Sequence, residues 1–128
     1  MKDSFIRILT AVAALLAVAV APNALAATCK VAEYRALAQD SNGKEIQVAL
    51  EPRITAQSVT YTTSSQSSAF NSATRFIGFV CDAKAHFRIS TTGTNATATD
   101  PFVAADQWLF LGVQPGQGLI IDFYDGSS

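Results

Sequence analysis

Apolar and polar residues alternate from Arg75 to Ser90, and this alternation limits the possible fold more than any other feature of the sequence. One parity is apolar or small, whereas the other carries charged and polar side chains such as Asp82 and His86. Successive side chains of a β-strand point to opposite faces of its sheet, so a period of two indicates strands with one buried face. The segment is longer than a usual strand, and it therefore predicts two strands, 75–81 and 84–90, with a tight turn between them.

Turn residues separate several other segments of β-type composition. Asn42-Gly43 and Pro115-Gly116 suit turns, because glycine and asparagine tolerate positive φ at little cost. Further strands are predicted at 45–50, 57–63, 107–113 and 119–124. Residues 31–39 fit either a short helix or an N-terminal strand, of which we favour the strand. Short strands at this spacing predict an all-β fold, a single antiparallel β-sandwich of jelly-roll-like type.

The first 26 residues have the three-part pattern of a secretory signal peptide. Lys2 and Arg7 form a basic start, residues 8–21 carry no charge, and Ala24-Leu25-Ala26 is a cleavage motif. The uncharged segment is shorter than the about 20 apolar residues that cross a bilayer. The sequence therefore predicts a cleavable signal at 1–26 and one domain at 27–128. We expect export to the periplasm or the extracellular medium, with no stable membrane insertion after cleavage.

The chain has two cysteines, Cys29 and Cys81. An even pair in a small exported domain predicts one disulfide, which would stabilise the fold by about 4 kcal/mol through loop closure. The alternative is a lipoprotein, because Cys29 lies just after the signal, where an acylated cysteine would stand. Thr28 precedes it, whereas lipoprotein signals prefer Gly, Ala or Ser there, so we favour the disulfide.

The charges argue against several classes of function. The chain has nine basic and ten acidic residues, of which Lys2, Arg7 and Asp3 belong to the predicted signal. The mature domain therefore has seven basic and nine acidic residues, and the basic ones are scattered along the sequence. Phosphate binding needs clustered Lys and Arg, so we expect no nucleic-acid partner. The acidic residues come singly and give too few ligands for a calcium loop. We expect neither a metal nor a cofactor.

His86 is the one histidine, and its place on the polar parity predicts an exposed strand residue. No G-x-S-x-G motif supplies a nucleophile for it, and we therefore predict that the protein is not an enzyme. Trp108, Phe110, Phe123 and Tyr124 are predicted to be mainly core residues. Contacts with a partner are expected first on the loops 64–68 and 91–100. The candidate interaction residues, aromatic or in these loops, are Trp108, Tyr124, Ser65, Thr94 and Asn95.

A series of short motifs lies between about Glu45 and Tyr124. They are Ser67-Ser68-Ala69-Phe70-Asn71, Thr74-Arg75-Phe76-Ile77, Cys81-Asp82-Ala83, Ala96-Thr97-Ala98-Thr99, residues 102–106, Phe110-Leu111-Gly112-Val113 and Pro115-Gly116. Their order and spacing resemble those of small β-sandwich proteins from the structural modules of tailed phages and prophages. The resemblance implies a minor virion component without enzymatic activity. Such proteins assemble in the cytoplasm, so the predicted signal and cysteine pair indicate a module of this type recruited for an exported role.

Together these observations predict a non-enzymatic exported protein with a structural or surface-interaction role, in contact with a protein partner or with copies of itself. The alternative function is that of a periplasmic small-ligand or carbohydrate-binding module, which would use Trp108 and Tyr124.

Overall fold

The computed structural model describes residues 25–127, and the predicted signal up to residue 24 lies outside them. This part of the chain consists of β-strands joined by turns and loops, which confirms the predicted all-β class. The strands are β1 (Ala27–Tyr34), β2 (Leu37–Gln39), β3 (Glu45–Ala49), β4 (Thr55–Tyr61), β5 (Ser64–Gln66), β6 (Phe76–Cys81), β7 (Ala85–Ser90), β8 (Phe102–Val103), β9 (Leu109–Gly112) and β10 (Ile120–Asp125). No helix that could span a membrane occurs between residues 25 and 127.

Eight of the strands form two four-stranded antiparallel sheets, which make a β-sandwich. The first sheet has the order β4-β1-β6-β9, and the second sheet has the order β5-β10-β7-β8. Strands β2 and β3 form a separate two-stranded hairpin. The chain passes from one sheet to the other between β4 and β5, β5 and β6, β6 and β7, β8 and β9, and β9 and β10. The predicted turn after residue 81 therefore connects two sheets and is not the end of a hairpin.

The core lies between the two sheets and is built from one parity of each strand. Ile77 and Phe79 of β6 are fully buried, as are Ile121 and Phe123 of β10. The rings of Phe79 and Phe123 pack edge to face with centroids 5.5 Å apart. Each such side chain contributes about 1.5–3 kcal/mol by leaving water. The alternation from 75 to 90 thus identified the core face of two neighbouring strands in sequence, β6 and β7.

Cys29 and Cys81 lie directly opposite each other on β1 and β6, the two central strands of the first sheet. Their sulfur atoms are 2.03 Å apart and both residues are buried, which confirms the predicted disulfide. The lipoprotein alternative is wrong, because the Cys29 thiol is bonded to Cys81. The helical alternative for residues 31–39 is wrong as well, since β1 and β2 occupy that segment.

A buried carboxylate closes one end of the sandwich. Glu33 of β1 is almost fully buried. Its Oε1 accepts a hydrogen bond from the N–H of Asn71 at 2.8 Å and one from the hydroxyl of Thr74 at 2.9 Å. A buried charge is tolerated only when hydrogen-bond donors replace the lost water, and these two donors do so. The contacts hold the loop before β6 against β1, with Phe70 of that loop in the core.

Candidate interaction surface

The outer face of the second sheet is covered by the chain's own loop 91–101. Within this loop, the N–H of Ala96 donates to Oδ1 of the buried Asp122 at 2.8 Å. Arg88 of β7 forms a salt bridge of 3.0 Å with Asp100 at the end of the loop. Burial raises the pKa of Asp122, whereas the hydrogen bonds from Arg88 and Thr97 lower the pKa of Asp100. This side of the sandwich is closed by specific polar contacts.

His86 lies beneath the same covering segment, and the prediction that it is exposed is wrong. Only 5% of the residue is accessible, and its Nδ1–H donates to the carbonyl oxygen of Asp100 at 2.7 Å. Its ring packs edge to face against Phe102, with centroids 5.9 Å apart. The polar parity of β7 faces outward, but loop 91–101 folds back over it. His86 therefore has a structural position in the fold.

The outer face of the first sheet, in contrast, carries a row of aromatic rings, of which Trp108 and Phe110 are exposed, Phe76 is half-buried and Tyr34 is buried. We call Tyr34, Phe76, Phe110 and Trp108 the aromatic face. Phe76 and Phe110 stack with centroids 5.7 Å apart, Trp108 and Phe110 stack at 5.8 Å, and Tyr34 lies 6.3 Å from Phe76. Trp108 is 52% exposed and Phe110 is 47% exposed, so the prediction that they are core residues is wrong. Leu109 and Leu111 take the inward parity of this segment, which leaves the aromatic rings on the outside.

Two glycines determine how these rings lie. In the ladder between β6 and β9, Gly78 is opposite Phe110 and Phe76 is opposite Gly112. Each large ring thus has a partner without a side chain. A Cβ on Gly78 would collide with the ring of Phe110, which shows that the ring covers the Gly78 backbone. The alternation of aromatic residue and glycine packs Phe76 and Phe110 diagonally against each other across the two strands.

An open groove of about 1190 Å³ runs beside the aromatic face. The hairpin of β2 and β3 contributes Val48 to its lining, and the first sheet contributes Phe110. The charged residues in the lining are Arg35, Arg75 and Glu45. On the hairpin, Ile46, Val48 and Leu50 are exposed as well, so apolar surface continues from the sheet onto the hairpin.

The structure distributes the residues singled out from the sequence over different surfaces. Thr94 and Asn95 are exposed on loop 91–101, whereas Ser65 of β5 is half-buried opposite Phe123. Tyr124 is half-buried on β10, with its ring 6.2 Å from that of His86. Trp108 directly precedes β9 of the first sheet and Tyr124 lies on β10 of the second, so the structure does not bring these two rings together in one site.

The arrangement on the first sheet is suited to binding. Stacked rings beside a groove with guanidinium and carboxylate groups offer apolar contact together with polar anchors. Among residues 25–127, no group of three potential metal ligands occurs. Phe76, Phe110 and the two glycines were not among the interaction residues predicted from the sequence. The signal that could have revealed them is the placing of Trp108, Phe110 and Gly112 on one parity, with Gly78 on the outer parity of the preceding strand.

No family model matches this chain, and neither a curated protein nor a solved structure was found to match it. A relationship to the phage structural proteins, which the order of motifs resembles, therefore remains a prediction.

Proposed function

We propose that this protein is an exported, non-enzymatic interaction protein that binds another protein surface through the aromatic face and the adjoining groove. The observation that carries the proposal is the exposure of Trp108 and Phe110 in a stacked row beside an open groove. The second sheet of the same domain is covered by its own loop, whereas Trp108 and Phe110 on the first sheet's side remain exposed.

Aromatic rings at this exposure favour a protein partner for physical reasons. Tryptophan, tyrosine and arginine are enriched where protein interfaces bind most strongly, and the two aromatic residues bury large areas at low cost in side-chain entropy. Contiguous exposed apolar surface is uncommon in monomeric proteins and usually marks a contact site. Here Phe110 and Val48 line the same groove as Arg35 and Arg75, whose guanidinium groups are suited to anchor acidic or carbonyl groups of a partner.

The exported location rests on two features. Residues 1–26 have the pattern of a cleavable signal, and the Cys29–Cys81 disulfide is of a kind that persists in oxidising compartments. A structural role like that of the virion-associated proteins that the motifs resemble is consistent with such a binding surface and is part of the proposal.

Site-specific photo-crosslinking in the native host tests the proposal. A benzophenone-bearing residue replaces Trp108 in the full chain. In a matched control it replaces Ser58, which is exposed on β4 at the opposite edge of the first sheet. We expect protein adducts from position 108 at least five times as abundant as those from position 58. Equal yields at the two positions, or no adduct at position 108, would contradict the proposal.

A further inference from the structure

We propose that the partner is a second copy of this chain, joined edge to edge through β9, so that two first sheets form one continuous eight-stranded sheet. This inference rests on the proposed function, since Phe110 of the aromatic face lies on the paired strand. It also adds a backbone contact that the aromatic face alone does not require.

Strand β9 differs from the other sheet edges of the described part of the chain. The edges are formed by β4 and β9 in the first sheet and by β5 and β8 in the second. β5 has three residues and β8 has two, which gives little backbone to pair, and the exposed residues of β4 are small or polar. β9 has no charged residue, and Phe110 projects from it. Proteins usually protect such an edge with a charge, a proline or a bulge.

The backbone groups of β9 point in the direction that pairing requires. Val113 donates its N–H to the carbonyl oxygen of Arg75 at 2.9 Å, toward β6. Because N–H and C=O groups alternate in direction along an antiparallel strand, Leu109 and Leu111 also point toward β6. The N–H and C=O groups of Phe110 and Gly112 therefore point away from β6, and within residues 25–127 no strand pairs with them.

The side chains of β9 are complementary to themselves about a twofold axis at Phe110. Antiparallel pairing of β9 with its copy places Phe110 opposite Phe110 of the second copy, and Trp108 opposite Gly112 of the second copy. An aromatic ring then faces a glycine, as Phe110 already faces Gly78 and Phe76 faces Gly112. The space above Gly112 allows this, because a Cβ there would meet only the Arg75 carbonyl oxygen, at 3.9 Å. The uncharged strand brings no like charges together at the axis.

Sedimentation over a range of concentrations tests the inference. It measures the mass of the full chain after expression and processing in an exporting host. We expect a dimer that dissociates on dilution. Gly112→Glu places a carboxylate opposite Trp108 of the second copy and should weaken the dimer at least tenfold. Ser58→Glu adds the same charge to the same sheet on β4, next to Lys30, and should leave the dimer unchanged.

Hydrogen exchange gives a second measurement that is specific for strand pairing. The amides of Phe110 and Gly112 should be protected at high protein concentration and should exchange quickly in the dilute monomer. The amide of Val113, which is bonded to Arg75 within one chain, should be protected in both. A wild type that stays monomeric at millimolar concentration, or a Gly112→Glu variant that dimerises normally, would overturn the inference. If crosslinks from position 108 then reach a different protein, the proposed function is retained and only the self-pairing is rejected. If no crosslink forms at position 108, both the proposed function and the self-pairing are rejected.

Discussion

The ring of Phe110 lies over the backbone of Gly78, its direct neighbour across β6 and β9. The contact joins an exposed aromatic residue to a position that must lack a side chain. It also sets the stacking of Phe110 on Phe76 and on Trp108, and so the shape of the aromatic face. Gly112 stands opposite Phe76 in the same ladder but has open space above it, which makes the two glycines a matched pair for experiment.

Gly78→Ala should displace the Phe110 ring and lower the free energy of unfolding by roughly 1–3 kcal/mol, as overpacking does. Gly112→Ala should be neutral or stabilising, because its Cβ meets no close atom and alanine reduces the entropy of the unfolded chain. Urea unfolding measures the stability, and Trp108 fluorescence reports the disturbed stack. Equal effects of the two alanines would contradict the contact between Phe110 and Gly78.

Removal of the disulfide by the double substitution Cys29→Ala and Cys81→Ala should lower the free energy of unfolding by about 4 kcal/mol, because the 52-residue separation is no longer closed in the unfolded chain. The lost sulfur packing in the core should add to this effect. Urea unfolding with and without a reducing agent measures it. The reductant should destabilise the wild type and leave the double variant unchanged, and a wild type insensitive to reduction would argue against the bond.

Glu33→Ala should destabilise the fold by roughly 3 kcal/mol, because the N–H of Asn71 and the hydroxyl of Thr74 lose a buried acceptor. Thr74→Val removes one donor and should cost about 1 kcal/mol by itself. The combined variant should lose less than the sum of the two, since the valine leaves no unpaired hydroxyl. Strict additivity in denaturant unfolding would show that the two side chains do not interact.

Tyr61 gives the fold a dependence on alkaline pH. It packs against Phe123 in the core, and its hydroxyl has no hydrogen-bond partner among residues 25–127. Burial, with smaller contributions from Asp125 and Asp82, raises its pKa from 10.0 to about 12. Between these values the unfolded chain loses the phenol proton while the folded chain keeps it. The contribution of Tyr61 to the free energy of unfolding is therefore complete below pH 10. About 3 kcal/mol of it is lost as the pH rises to 12.

Tyr61→Phe should remove this part of the alkaline loss and should be neutral or slightly stabilising at pH 7, since the hydroxyl is buried without a partner. Unfolding in urea at pH 9 and at pH 11.5 measures the difference between the two proteins. A phenylalanine variant that loses as much stability as the wild type over this interval would exclude Tyr61 as the source.

The sequence was sufficient for the strands whose two faces differ in polarity. In β7, Phe87 and Ile89 alternate with His86 and Arg88, so the core side of that strand could be predicted. The segment of β9 is apolar on both parities, and locally only Gly112 distinguishes the parity of Trp108 and Phe110 from that of Leu109 and Leu111. Which pair faces water depends on the position of β9 at the edge of its sheet. The burial of His86 depends likewise on a later loop folding back, which the local alternation does not reveal.

The pairing of β5 with β10 joins residues 64–66 to residues 122–124, so β5 has no partner strand in the second sheet until β10 has been made. A polypeptide emerging from the ribosome must be extended almost to this last strand before that layer can assemble. Such a topology delays folding, because the entropy of closing long loops is lost before the contacts form. The second sheet should therefore stay unassembled until synthesis is nearly complete, which would suit passage through a translocation channel under the exported location proposed above.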